Sequence, residues 1–314
     1  MRELNGRARR NIVREFLVQE RATLVCIQET KISVMCNSIA NETLGTAFDY
    51  DYVPAIGVSG GILLGWNTDM WAVSEVAKGR FSISAKIAET GSSNTPWWIT
   101  VVYGPQPDHE KVEFLDELLS FHDVHPGPWF LCGDFNMIYR AQYKNNGRLD
   151  CRCMRRFRAF LDRAHLEELH LIGQRFTWTS ERERPTLELL DRMFASIDWF
   201  EVFPNHVLKP LSSDCSDHCP LLLQMHALPG TKRRFQFESF WTKLLGFLDT
   251  VAAAWTPTPR DIDPFRMLDY KFRNVAKAVR AWSSTKIGSV RLELAMAREV
   301  ILSLDEAQEN RQLA

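Results

Sequence analysis

Short apolar runs recur along the first 226 residues, and several of them end on an acid, an amide or a histidine. "LVCIQ" stops at Glu29, and "WITVV" runs to Tyr103-Gly104-Pro105. "WFLC" stops at Gly133 and then presents Asp134 and Asn136. "LELL" stops at Asp191, and "SDHCPLLL" begins with Asp217 and His218. This pattern narrows the fold more than any other feature of the chain. In an extended segment residues i and i+2 face the same side, so Asp134 and Asn136 point into one space at a strand tip. Two readings of that tip are open. Asp and Asn favour turns, which needs no function, while the same pair can hold a metal, a water or a phosphate. Polar tips on several strands can also meet at one end of a sheet, where sites form.

The remaining pattern sets the architecture around these tips. Apolar residues at helical spacing predict helices over 9–20, 108–122 and 151–164. Strands are predicted at 23–28, 60–67, 80–89, 97–104, 175–180, 187–196 and 219–226, besides the run at 129–132. Strands joined by tight turns, with helices between, argue for a mixed α/β domain of largely antiparallel sheets with helices outside. Near residue 230 the pattern changes. "LPGTKRR" reads as a linker, and "RFQFESFW" alternates once more. Phe265, Leu268, Phe272, Val275, Val279 and Trp282 then step at helical spacing, as do Val290, Leu294, Ala297, Ile301 and Leu304, with Gly288 between. A helical hairpin is the expectation, its stripes serving either as a seam or as ordinary core faces.

Bulk properties exclude several classes. A net charge of −1 gives no global pull toward nucleic acid or membrane, so any such affinity needs a local patch. No apolar run approaches the roughly 18 residues that span a bilayer, and the charged start "MRELNGRARR" is no secretory signal. Seven cysteines without a disulfide-type framework suggest an intracellular, reducing compartment. Cys151/Cys153 and Cys215/Cys219 lack partners at finger spacing, which argues against zinc.

The tip residues make joint chemical sense. Carboxylate oxygens such as those of Glu29 suit a hard ion like Mg²⁺, which keeps waters and favours phosphate as a co-ligand. Asp134 could orient or deprotonate a water. His218 could donate to a phosphate oxygen, with Asp191 setting its tautomer and charge. Tyr103 and Asn136 add neutral donors. The dull explanation of each residue alone stands beside this metal-dependent phosphoesterase reading.

The same residues resemble a known family. "CIQET", "VVYGPQ", "GDFN", "LLDRMFAS" and "SDHCPL" occur in the order found in the endonuclease/exonuclease/phosphatase superfamily, which includes deoxyribonuclease I. "QRFTWTS" followed by "RRFQFESFW" resembles more closely the endonuclease segment of plant LINE-type (non-LTR) retrotransposon polyproteins. The resemblance covers residues 2–226 closely and 232–314 loosely. It implies a four-layered α/β/β/α sandwich over residues 1–228, with a linker and helical hairpin over 229–314 leading to a reverse transcriptase. It implies Mg²⁺, with Mn²⁺ as the alternative ion, held chiefly at Glu29 with Asp217 in the metal and water network. It places Asp134 and Asn136 at the water and phosphate, Tyr103 at the phosphate, and the Asp191–His218 pair at the transition state. It implies nicking of DNA in the nucleus to leave a 3′-hydroxyl. Arg155 and Arg156, in a basic run, are candidate phosphate contacts, with a solvated helix face as the equal alternative.

One departure matters. The family opens with a strand carrying an Asn of the site, followed by Arg-Gly. Here Arg2 matches that Arg and Glu3 stands where Gly is usual, so the Asn would precede Met1. The expectation is a domain lacking its first strand, with 23–28 and 129–133 in the sheet that borders the gap, and with impaired activity. The competing reading is a non-catalytic remnant that binds nucleic acid or a partner. A phosphorylated small molecule as substrate is a third reading. Trp97, Trp98 and Trp178 are read as core rather than as base-stacking platforms.

Overall fold

The structure is a computed structural model. It describes residues 4–225 except 58, 93, 181, 183 and 213–215, then 241–255 except 243, then 263–286, and residues 297, 300, 301, 303 and 304. The chain forms two compact units that part after residue 226.

In chain order the first unit runs α1 (Arg7–Glu20), β1 (Leu24–Gln28), α2 (Asn37–Thr43), β2 (Phe48–Ile56), β3 (Ser59–Asn67), β4 (Trp71–Lys78), β5 (Ser82–Glu89) and β6 (Trp97–Tyr103). There follow α3 (Glu110–Val124), β7 (Trp129–Asp134), α4 (Cys151–Arg163), β8 (Leu166–Glu168), β9 (Trp178–Thr179) and β10 (Leu187–Glu188). The unit closes with β11 (Asp191–Ser196), α5 (Ile197–Val202), β12 (Val207–Pro210) and β13 (Leu221–Gln224). A six-stranded sheet has the order β4-β5-β6-β7-β11-β8, and a three-stranded sheet has the order β1-β3-β2. All pairs are antiparallel except β6–β7.

The burial of alternate side chains stacks these sheets into four layers. Ile62, Leu64 and Trp66 of β3 meet Ile83, Ile87, Trp97, Ile99, Phe130 and Cys132 of the larger sheet in one core. The opposite face of that sheet, with Trp98, Val102, Leu131 and Phe194, packs on Phe114 and Leu118 of α3 and on Phe157 and Phe160 of α4. Val25, Ile27 and Leu63 of the smaller sheet pack on Val13 of α1 and Ala40 of α2. The expected α/β/β/α sandwich is therefore present. Covered on both faces, β7 is buried at every residue, which is why it reads as a continuous apolar run rather than an alternation. On α4, Cys153, Met154, Phe157, Phe160 and Leu161 form the buried face, and the Asp150 carboxylate caps the first turn by accepting from the Cys153 amide at 2.9 Å. Such a cap contributes about 1 kcal/mol.

Two expectations need correction. Residues 23–28 and 129–133 do not border one gap in one sheet: β1 belongs to the smaller sheet, and β7 sits inside the larger one, paired on both sides by β6 and β11. Among the described residues β1 has a strand on one side only. Nor is 187–196 one strand. It breaks at Leu189-Leu190 because backbone groups there bond elsewhere. The Leu189 amide donates to the Tyr143 carbonyl, the Leu190 amide to the Thr177 hydroxyl, and the Leu190 carbonyl accepts from the Phe135 amide.

In the second unit α6 (Phe247–Trp255) and α7 (Pro264–Lys286) are described. Val275, Val279 and Trp282 of the predicted stripe pack with Trp241, Phe247 and Val251, while Phe265 stays exposed. Sequence periodicity had not picked out α6. The second helix of the predicted hairpin, residues 290–304, lies largely outside the described residues, as do Lys232–Arg234 and residues 234–240.

Candidate active site

Strand pairing brings most of the predicted tips together. Tyr103 ends β6 and Asp134 ends β7, and the two are in register across the parallel pair. Asp191 opens β11 directly opposite Asp134. Glu29 follows β1 in the smaller sheet, and the Tyr103 hydroxyl donates to its Oε1 at 2.5 Å, joining the two sheets at the site.

The backbone at these tips is strained and closely fitted. Glu29 has φ +53° and Asn136 φ +49°, a region that costs a non-glycine residue about 1–3 kcal/mol. Gly133 has φ +139°, and a Cβ there would lie 2.1 Å from the Val102 carbonyl oxygen. A Cβ on Gly104 would lie 2.2 Å from the Phe135 carbonyl oxygen. Glycine at both places lets the "YGP" and "GDFN" turns touch. Asn136 locks that contact: its side-chain amide donates to the Gly104 carbonyl at 2.7 Å, and its backbone amide donates to Asp134 Oδ1 at 2.9 Å. Asn136 is thus a hinge pin of the tip, with its side-chain NH₂ already engaged by backbone.

His218 Nδ1 lies 2.8 Å from Asp191 Oδ2. Burial alone would lower the His218 pKa. The charge and hydrogen bond of Asp191, with the charge of Asp134, override burial and raise it to about 9, so the imidazole is cationic at neutral pH. Burial, then the negative charge of Asp191, push the Asp134 carboxyl up to about 7, against the opposing pull of His218 and the Asn136 amide. Asp134 is therefore poised to gain or lose a proton near neutrality. The Tyr103 phenol is raised by burial, by its bond to Glu29 and by the charges of Asp134 and Asp217.

Thr177, which carries no sequence signal, and Trp178, expected only in the core, hold this arrangement. The Thr177 hydroxyl accepts from the Leu190 and Asp191 amides at 3.1 and 2.9 Å. The Trp178 indole donates to Asp217 Oδ2 at 3.1 Å, and its ring centre lies 6.5 Å from that of His218. Trp97 and Trp98 are core residues, and half-buried Trp178 packs against the core while its indole reaches Asp217. No sequence signal separates these roles, because both depend on partners about 14 to 40 residues away. Arg155 and Arg156 are exposed on α4. Arg156 lines a groove of about 360 Å³ with Asp108, His109, Lys111, Met137 and Arg152; Arg155 does not, and none of the converging tip residues lines it.

A metal fits the chemistry of the donors. Glu29 and Asp217 offer carboxylate oxygens, which suit a hard ion completed by water and phosphate. Burial first, then the negative charges of Asp191 and Glu29, raise the Asp134 carboxyl beside these donors. Among the described residues no three His, Cys, Asp or Glu side chains form a cage.

A sandwich of this kind, with an acidic cluster and a charged histidine at the strand tips, defines a class of phosphoester hydrolases. The chain belongs to the Endonuclease/Exonuclease/phosphatase family, whose model matches residues 2–218. Hydrolases of this family act on phosphodiester bonds, and the superfamily generally depends on divalent metals. Among solved structures, a 3′ phosphatase, NExo (D146N), from Neisseria bound to a product DNA hairpin is 14% identical, with a TM-score of 0.57 over 71% of this chain and 96% of that one. The endonuclease domain of TRAS1, a telomere-specific non-LTR retrotransposon, is 13% identical, with a TM-score of 0.52 over 70% of this chain and 94% of that one. At such identity these likenesses establish the fold. No curated protein matches the sequence. Among the described residues no helix is long and apolar enough to cross a membrane.

Proposed function

We propose that the chain is a divalent-metal-dependent, DNA-nicking endonuclease of a LINE-type retroelement. The observation that carries the hydrolytic reading is Asp191 standing in register opposite Asp134 while holding His218 Nδ1 at 2.8 Å, which joins a buried carboxyl, raised to about 7, and an imidazole, raised to about 9, in one cluster. Ionised Asp134 takes a proton from a water, the water oxygen bonds to phosphorus, and the bond to the 3′-oxygen breaks. That oxygen leaves with a proton from solvent, giving a 3′-hydroxyl and a 5′-phosphate. His218 donates to the phosphate oxygens as negative charge builds on them, which is where a fixed donor lowers a barrier most. Asn136 holds the Asp134 tip shut against Gly104. Mg²⁺ or Mn²⁺ at Glu29 and Asp217 would add positive charge beside the phosphate.

The LINE assignment draws on the motif wording "QRFTWTS" and "RRFQFESFW", with the shared fold of the retrotransposon domain beside it. In this reading residues 1–228 form the nuclease, residues 229–314 lead toward a reverse transcriptase, and the substrate is nuclear DNA. Purified protein with supercoiled plasmid and Mg²⁺ should give nicked circles. Asp134→Ala and His218→Ala should each abolish them, and nicking that survives both overturns the assignment. A second reading, a non-catalytic nucleic-acid-binding domain, draws on the exposed Arg152, Arg155 and Arg156 of α4. Metal-independent, salt-sensitive binding without nicking would favour it.

A further inference from the structure

Arg192 follows Asp191 on β11 and points to the other face of the sheet, where its side chain is fully buried. It pairs with Glu168 of β8, and its Nε donates to the Leu189 carbonyl at 3.1 Å. Its guanidinium carbon lies 4.0 Å from the ring centre of Tyr143 and 5.0 Å from that of Tyr139. Both tyrosine hydroxyls donate to Glu168 Oε2 at 2.7 Å. The Nη2 of Arg192 has no hydrogen-bond partner among the described residues. A buried ion pair with an unmet donor is a poor way to gain stability, since apolar side chains of similar size commonly do as well or better.

What charge supplies there is direction. Arg192 grips three segments at once: the turn that feeds Asp191, the edge strand β8, and residues 139–143, which continue the chain from Asp134 and Asn136. The two site segments also touch nearby, through the Phe135 amide on the Leu190 carbonyl and the Leu189 amide on the Tyr143 carbonyl. We infer that the buried Arg192–Glu168 pair, with Tyr139 and Tyr143, is a positioning device that sets the Asp134–Asn136 tip against Asp191. Its consequence for rate rests on the nuclease reading above; its geometry does not.

The test removes both charges together, Arg192→Met with Glu168→Met, because removing one strands the other. A milder variant, Tyr143→Phe, deletes one hydroxyl and serves if the double variant does not fold. Amide hydrogen exchange at Phe135 and Asn136 is compared with Leu131 in the middle of β7, alongside kcat and KM for plasmid nicking. The expected result is exchange at 135 and 136 faster by about tenfold or more relative to Leu131, and kcat lower by about tenfold or more with KM little changed. Arg192→Lys, which keeps the charge, should recover part of both. Equal acceleration at all three amides, or none, overturns the inference, because that is what a core filler would give. Loosened tips with unchanged kcat overturn it as well. A wild-type chain that does not nick sinks the nuclease reading alone, since the exchange pattern still decides the positioning role.

Discussion

The two sheets bring different parts of the site, and they hold them differently. The smaller sheet brings Glu29, placed by a strained turn and tied across by the Tyr103 hydroxyl. The larger sheet brings Tyr103, Asp134 and Asp191 on adjacent strands in direct register, with His218 fastened to the last. On the larger sheet the spacing of proton-handling groups is built into strand pairing. On the smaller one, the carboxylate suited to a metal sits beside backbone links that include the Thr30 and Lys31 amides on the Gly61 and Gly60 carbonyls and the Leu4 amide on the Thr30 carbonyl, with the Tyr103 hydroxyl tying it across. Under the proposed function, the larger sheet would handle protons while Glu29 of the smaller one would help hold an ion with Asp217, and substitutions should separate the two.

The largest expected effect lies on the larger sheet. Asp134→Asn keeps the shape and removes the base, and should lower kcat by about 10²–10⁴-fold, with the Mg²⁺ concentration for half-activation little changed. Glu29→Gln should do the reverse in kind, raising that concentration by about 10–100-fold with a smaller loss at saturating metal. A titration of nicking rate against Mg²⁺ for both variants reads the difference directly. Two superimposable metal curves would show that the halves are not separable.

The same contrast explains what could be read in the sequence. Acids and amides ending apolar runs were visible because strand period and polarity are local. That Glu29, Tyr103, Asp134 and Asp191 stand at or beside strand ends follows from that pattern, whereas Asp217 and His218 lie in the connection ahead of β13. Which strands adjoin is not local. β1 and β7 each read as an apolar run, yet they lie in separate sheets. Thr177 and Arg192 carried no signal, and Trp178 read only as core, because their meaning comes from partners far along the chain. The break at Leu189-Leu190 was hidden because both residues are buried, so the apolar pattern runs on where the backbone bonding turns aside.

A milder test asks whether the two charged groups on the larger sheet work as a pair. Asp134 must be ionised and His218 protonated, so nicking should rise through a pH of about 7 and fall through about 9, giving a bell. Asp191→Asn removes what holds the imidazole proton, so the alkaline limb should move toward the ordinary histidine value and narrow the bell from that side. The acid limb should move down as well, because Asp191 raises Asp134. Such groups titrate together, so the limbs belong to the cluster and not to single residues. An unmoved alkaline limb in Asp191→Asn would place the controlling group elsewhere.

The smallest effect is on stability, and its sign follows from the same shifts. His218 holds its proton more tightly when folded, with a pKa of about 9 against an ordinary 6.5. Its contribution is fully present below about pH 6.5 and is lost as pH rises through 9. Asp134 is also raised, to about 7 against 3.8, so its ionised form penalises the fold above 7 and the penalty is relieved on acidification toward 4. Stability therefore falls as pH rises through both windows, from about 4 to 7 for Asp134 and from about 6.5 to 9 for His218, so the loss above neutrality belongs mainly to His218. One pKa unit corresponds to about 1.4 kcal/mol, and the two shifts share their charges, so the loss between neutral and pH 9.5 should be on the order of 1–3 kcal/mol. For a domain of this size that lowers the melting temperature by a few degrees. Asp191→Asn should flatten the decline between pH 7 and 9, because the imidazole then titrates near its ordinary value in both states. Asp134→Asn should leave part of it, since Asp191 still faces His218. Melting curves from pH 6 to 10 that show no decline in the wild type would mean that the imidazole is not held cationic by Asp191, and the proposed contrast between a sheet that offers Glu29 to an ion and one that handles protons would lose its second half.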